Sequence, residues 1–213
     1  MMNEERTIGQ TELEELQRRA EAGEAIAQYR LGGLYYTGEV VDRDEERASD
    51  LRRRAVEQAD PAFVSFIMQA AEDEDAEATH ALAMMYYRGL GVPQDEKRAF
   101  ALWKRAAENG LPQALYNLAA AYERGIGVEP DIAEAIVHYN VALEYGVGLA
   151  GVQLGFLYVG SPGIRADLGL AEHYFRTAMK LGYSRGIEGL ELIRELGLKD
   201  APESRSALEA PHE

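Results

Sequence analysis

The chain has no cysteine among its 213 residues. That excludes disulfides, thiol catalysis and thiolate metal sites, and it suits a reducing compartment. Basic residues are also short: 22 Lys and Arg face 37 Asp and Glu, a formal charge of −15. Such a surface repels nucleic-acid phosphates and anionic membranes, so neither a nucleic acid nor a membrane is an expected partner. No apolar run approaches the roughly 18 residues of a membrane span. The opening MMNEERTIGQTELEEL holds no apolar core of a signal peptide, and a cytoplasmic protein is expected.

Histidine is scarce too, at four residues, His80, His138, His173 and His212. None has a second His or a Cys at metal-ligand spacing, so no metal and no cofactor are expected. His138 and His173 read as ordinary solvent-facing residues. The run Glu72-Asp73-Glu74-Asp75 lacks the alternating ligands of a calcium loop and reads as a solvated connector. No serine nucleophile elbow and no carboxylate pair placed for acid–base work can be found, so an enzyme is not expected.

What the chain has is a repeat. Ala78, Leu82, Tyr86, Gly89, Gly91, Val92, Asp95, Ala99, Ala106 and Gly110 each recur 36 residues later, as Ala114, Leu118, Tyr122, Gly125, Gly127, Val128, Asp131, Ala135, Ala142 and Gly146. An upstream copy carries Ala27, Leu31, Tyr35, Gly38, Ala48 and Ala55. A downstream copy carries Ala150, Leu154, Tyr158, Gly163, Asp167, Ala171 and Ala178, with Ser161 at the first glycine position. Self-similarity at this period marks a repeat architecture.

Each copy reads as two amphipathic helices. Ala114, Leu118 and Tyr122 fall at i, i+4 and i+8 on one face of the first. Gly125 stands where a left-handed residue ends it. Ala135, Tyr139 and Ala142 form the stripe of the second, as do Ala99, Trp103 and Ala106. Asp95 and Asp131 stand at the starts of second helices, where a carboxylate caps free N–H groups. Pro93 and Pro130 help stop the preceding helices. Gly89-Leu90-Gly91 lies between two helices, follows no strand and precedes no Lys-Ser/Thr, so it turns the chain rather than holding a phosphate.

The pattern Ala-x3-Leu, Tyr-x2-Gly-x-Gly-Val, then Asp, Ala-Ala and Gly, resembles the Sel1-like repeat, a relative of the tetratricopeptide repeat. The resemblance implies an all-α fold, a right-handed α-α superhelix (solenoid) of about four Sel1-like helix-turn-helix repeats with capping half-repeats. It also implies an adaptor or scaffold. Some bacterial members carry a disulfide in each repeat and have been linked to β-lactam binding; this cysteine-free chain departs from them.

Solenoid residues are expected over 8–197, with units at about 24–59, 75–110, 111–146 and 147–182. Capping helices are expected at 10–22 and 184–196, and disorder at 1–7 and 198–213. Gly38 and Gly89 are 51 apart rather than 36, so 15 residues are inserted. They contain an extra helix, 61–72, apolar nearly all round. It reads as a helix buried in the stack, or as an exposed Phe63/Phe66 patch for docking or dimerisation.

In stacked helix pairs the first helices line the concave side. There the same register gives Tyr29, His80, Tyr116 and Val152 in one row, Gly33, Met84, Ala120 and Phe156 in a second, and Tyr36, Tyr87, Glu123 and Val159 in a third. Arg88 and Arg124 are equivalent to each other, as are Arg30 and Asn117. Tyrosine offers contact area and arginine grips carboxylates, so the rows suggest a groove for an acidic peptide or partner protein. Packing between neighbouring repeats would use the same tyrosines. The expected function is therefore a non-enzymatic protein-interaction module, monomeric or homodimeric. Alternatives are an inhibitor or immunity-type protein occluding a bacterial effector, and a self-associating structural protein. A hydrolase acting on β-lactam or cell-wall compounds is the weakest reading.

Overall fold

In a computed structural model, which describes residues 9–199, the chain is an all-α repeat solenoid with no strand among the described residues. The chain divides into two compact units, one up to Gly110 and one from Leu111. The first holds α1 (Gln10–Glu21), α2 (Ala25–Thr37), α3 (Glu45–Gln58), α4 (Pro61–Glu72), α5 (Ala76–Arg88) and α6 (Glu96–Glu108). The second holds α7 (Pro112–Arg124), α8 (Ile132–Glu144), α9 (Gly148–Gly160), α10 (Leu168–Lys180) and α11 (Arg185–Lys199). Residues 1–8 and 200–213, with His212 and most of the two segments expected to be disordered, lie outside the described residues; α11 continues as helix to Lys199.

The repeat is closed by one device used four times. Asp44, Asp95, Asp131 and Asp167 cap α3, α6, α8 and α10, each accepting a backbone N–H of the first turn at 2.9–3.1 Å. Such a cap is worth about 1 kcal/mol. The backbone N–H of each of these aspartates donates at 2.8–2.9 Å to the carbonyl of Tyr35, Tyr86, Tyr122 or Tyr158 near the end of the preceding helix. The tyrosine thus fixes where the connector returns and the aspartate where the next helix starts. Gly38, Gly89 and Gly125, with φ of 73°, 70° and 73°, turn the chain in the left-handed region between them. In the last copy Ser161 cannot do so cheaply, and its φ is −86°; α9 ends at Gly160, the repeat position of Arg124, and only the second glycine of the pair, Gly163, keeps the positive φ of its counterparts Gly91 and Gly127.

Alanine then sets the spacing of each pair. Ala48, Ala99, Ala135 and Ala171, and one turn-pair later Ala55, Ala106, Ala142 and Ala178, are all at most 1% exposed. Small residues at these contacts let first and second helices approach closely. Between them Trp103, Tyr139 and Phe175 fill the core at 2% exposure or less. Each of these rings meets an aromatic of its own first helix: Tyr87, Tyr116 and Phe156 at centroid separations of 5.4, 5.6 and 5.0 Å.

Helix α4 interrupts this order in the first unit. Asp60 caps it, Pro61 begins it, and Phe63 and Ile67 are fully buried between α2 and α5. The ring of Tyr29 on α2 packs edge-on against Phe63 at 5.8 Å and Phe66 at 6.1 Å. Burial of Phe63 corrects the reading of an exposed Phe63/Phe66 docking patch, because the helix turns that face inward. Phe66 is half-buried, with the Arg30 guanidinium 5.2 Å above its ring.

Candidate functional site

First-helix residues of the first unit come from α2 and α5. Tyr36, His80, Met84 and Tyr87 are half-buried, Arg30 and Arg88 are exposed, and Tyr29 is only 7% exposed. Tyr29 therefore offers little contact surface: it is a packing residue of α2 on α4. Burial raises its hydroxyl well above the ordinary phenol range. Arg88 lies 3.7 Å from Glu57 and stays about 43% exposed, so the pair leaves part of its side chain open to solvent. Tyr87 leans on Trp103 and shows the rest of its ring to solvent.

Beneath Tyr29 and Tyr36 lies Arg52 of α3, a residue the rows above do not contain. Its guanidinium stands 5.7 Å from the Tyr29 ring and 5.2 Å from the Tyr36 ring, and it pairs with Glu77 of α5 at 2.9 Å. Arg52 occupies the repeat position that holds Trp103, Tyr139 and Phe175 elsewhere, four residues after the spacing alanine. The repeat spacing marks it in the sequence as a charge in an aromatic row. Burial first, and then the Arg52 charge, pushes His80 from 6.5 down to about 4, so His80 is neutral near pH 7.

In the second unit α7 supplies Tyr116, Asn117, Glu123 and Arg124, and α9 supplies Phe156. Arg124 is exposed, and the others are half-buried. The Gln153 amide donates to the Tyr116 hydroxyl at 3.5 Å. Glu123 is tied inward: the hydroxyl of buried Tyr139 donates to its carboxylate at 2.6 Å. Burial, with Glu123 beside it, raises that phenol far above its usual range. Phe156 packs edge-on against Phe175. The structure thus leaves Tyr116, Asn117, Arg124 and part of Phe156 as surface, while Glu123 serves the fold.

His138 corrects an expectation. Its side chain is 24% exposed, and its ring stacks on Tyr122 at 5.6 Å with an 8° interplanar angle. The helix-ending tyrosine of each copy is covered in this way: Tyr35 by Arg47, Tyr86 by Arg98 and Tyr158 by Tyr174. His173 is solvent-facing as expected. Among the described residues no group of three or more His, Cys, Asp or Glu stands together as a metal site requires.

The Sel1 repeat matches the chain four times, at residues 25–60, 76–111, 112–146 and 149–183. The chain belongs to the Sel1 repeat family. A protective antigen of uropathogenic Escherichia coli strains, displaying an SLR fold, is 33% identical over 87% of this chain with a TM-score of 0.58; the chain spans about 36% of that protein's length. A Sel1 repeat protein from Oxalobacter formigenes is 26% identical, with a TM-score of 0.53 and coverage of 80% of this chain and 78% of that one. No curated protein matches the chain. No helix among the described residues is long and apolar enough to cross a membrane.

Proposed function

We propose that this Sel1 repeat chain is a non-enzymatic interaction module that holds an acidic peptide or a partner protein on its first-helix faces. The observation that carries the reading is the company its exposed arginines keep. On a chain of charge −15, exposed Arg30, Arg88 and Arg124 share their helices α2, α5 and α7 with half-buried Tyr36, Met84, Tyr87 and Tyr116. An aromatic surface with an arginine fork at its edge suits a segment that carries both apolar side chains and carboxylates. Asn117, His80 and Phe156 complete the surface of their own units. The family's general use as a protein-interaction fold supports the same reading, and no catalytic residue enters it.

A random peptide library panned on wild type and on Arg88→Glu/Arg124→Glu tests this. Wild type is expected to enrich peptides with acidic and aromatic residues, and the double variant to lose them while keeping its helicity and melting temperature. Identical peptide sets from both proteins, or no enrichment on wild type, would contradict the reading.

A further inference from the structure

The first repeat differs from the other three at two positions that face each other. Arg52 replaces the core aromatic of Trp103, Tyr139 and Phe175, and Gly33 stands where the other first helices carry Met84, Ala120 and Phe156. In the last repeat the same two positions hold Phe156 on Phe175, an aromatic pair with centroids 5.0 Å apart. In the first repeat a Cβ added to Gly33 would meet nothing within 4 Å except Nη2 of Arg52, at 3.7 Å. A ring that closes the surface in one repeat is thus replaced in the other by an opening with a cation at its floor. Gly33 falls between Tyr29 and Tyr36 on α2, at i+4 and i+7 spacing, and Arg52 reaches both rings from below.

From this geometry we infer that Arg52, approached over Gly33, is a recessed carboxylate-binding point of the first unit, taking a Glu or Asp side chain of the bound peptide. The inference rests on the proposed peptide-binding role and names which group the peptide must present. Arg52 is 19% exposed and its partner Glu77 24% exposed, so the pair is recessed yet still open to the surface. Glu77 engages Nη1, Nε is buried without a hydrogen-bond partner, and Nη2 is the nitrogen that faces the opening at Gly33. A planar guanidinium held between two tyrosine rings keeps its orientation, and a fixed fork recognises a carboxylate better than a mobile one. His80, neutral near pH 7, adds no competing charge. Glu77 does compete: its carboxylate, 2.9 Å from Nη1, already offsets the Arg52 charge.

The test uses a fluorescein-labelled peptide of alternating Glu and Tyr and the same peptide with Gln for Glu, titrated by anisotropy. Three variants separate the roles. Gly33→Met fills the opening with the residue found at this position in the next repeat, and leaves both charges in place. Arg52→Phe with Glu77→Gln restores the aromatic of the other repeats without stranding a carboxylate. Glu77→Gln alone removes the competitor. Wild type is expected to prefer the Glu peptide; Gly33→Met and the double variant should weaken it about tenfold, with unchanged helicity, and Glu77→Gln should tighten it several-fold. If Gly33→Met and the double variant bind like wild type while Arg88→Glu/Arg124→Glu does not, the Arg52 site is overturned and the peptide-binding role stands. A wild-type protein that binds neither peptide, or both equally, overturns both.

Discussion

At the residue scale, two hydroxyls show how the same chemical group acts differently by its partner. The Tyr139 hydroxyl donates to the Glu123 carboxylate at 2.6 Å, whereas the Tyr174 hydroxyl donates to the neutral Asn140 amide oxygen at 2.8 Å. A charge-assisted bond is the stronger, and its loss leaves a half-buried carboxylate without a donor. Tyr139→Phe should therefore cost about 2 kcal/mol and Tyr174→Phe about 1 kcal/mol or less in urea unfolding; the reverse order would show that Glu123 is satisfied elsewhere. His80 makes a second prediction. Its folded value near 4 lies below the ordinary 6.5, so the unfolded chain binds the proton first as pH falls. Stability that is fully present above pH 6.5 is then lost down to about pH 4, by no more than about 3 kcal/mol. The difference in melting temperature between wild type and His80→Gln should change across that window; a constant difference would place the His80 titration elsewhere.

At the element scale, the inserted helix α4 is seated by a glycine. Gly91 has a φ of 66°, and a Cβ there would lie 2.6 Å from Val64 of α4 and 2.8 Å from the Ala59 carbonyl. Gly89 has nearly the same φ, 70°, but the nearest atom to its Cβ would be 3.4 Å away. Both positions charge alanine about 1 kcal/mol for the left-handed conformation. Only Gly91 adds the displacement of α4, another 1–3 kcal/mol or so. Gly91→Ala should thus destabilise the first unit by at least about 1 kcal/mol more than Gly89→Ala. Equal losses in thermal unfolding would mean that α4 does not rest on this turn. The paired glycines, the aspartate caps and the alanine rows were legible in the sequence because each meets a local demand of φ, a free N–H or a close approach. For Tyr29 the spacing left surface and packing both open. The helix that covers it, α4, is inserted between two repeats, so no repeat register contains that contact, and Val152 of the same row is buried as well. Glu123 was missed for a related reason: the donor that holds it, Tyr139, comes from the facing helix, and a register along the first helices cannot see it.

At the scale of the whole molecule, the repeat array makes each unit present the same positions again with different side chains. The alternation of Arg52 with Trp103, Tyr139 and Phe175 is such a change, and so is that of Gly33 with Met84 and Phe156. A fold of this kind keeps its core by repetition and acquires its chemistry where a copy departs from the others. That is why the fold could be read from spacing, while the identity of the partner depends on surface residues that no spacing constrains. The direct test of the account is where a bound peptide sits. A peptide enriched by panning, titrated into isotopically labelled protein and followed by backbone amide shifts, should perturb first helices: α2 and α5 around Tyr36, Met84 and Arg88 in the first unit, or α7 and α9 around Tyr116 and Arg124 in the second. Perturbations confined to α3, α6, α8 and α10, with the first helices unmoved, would contradict it.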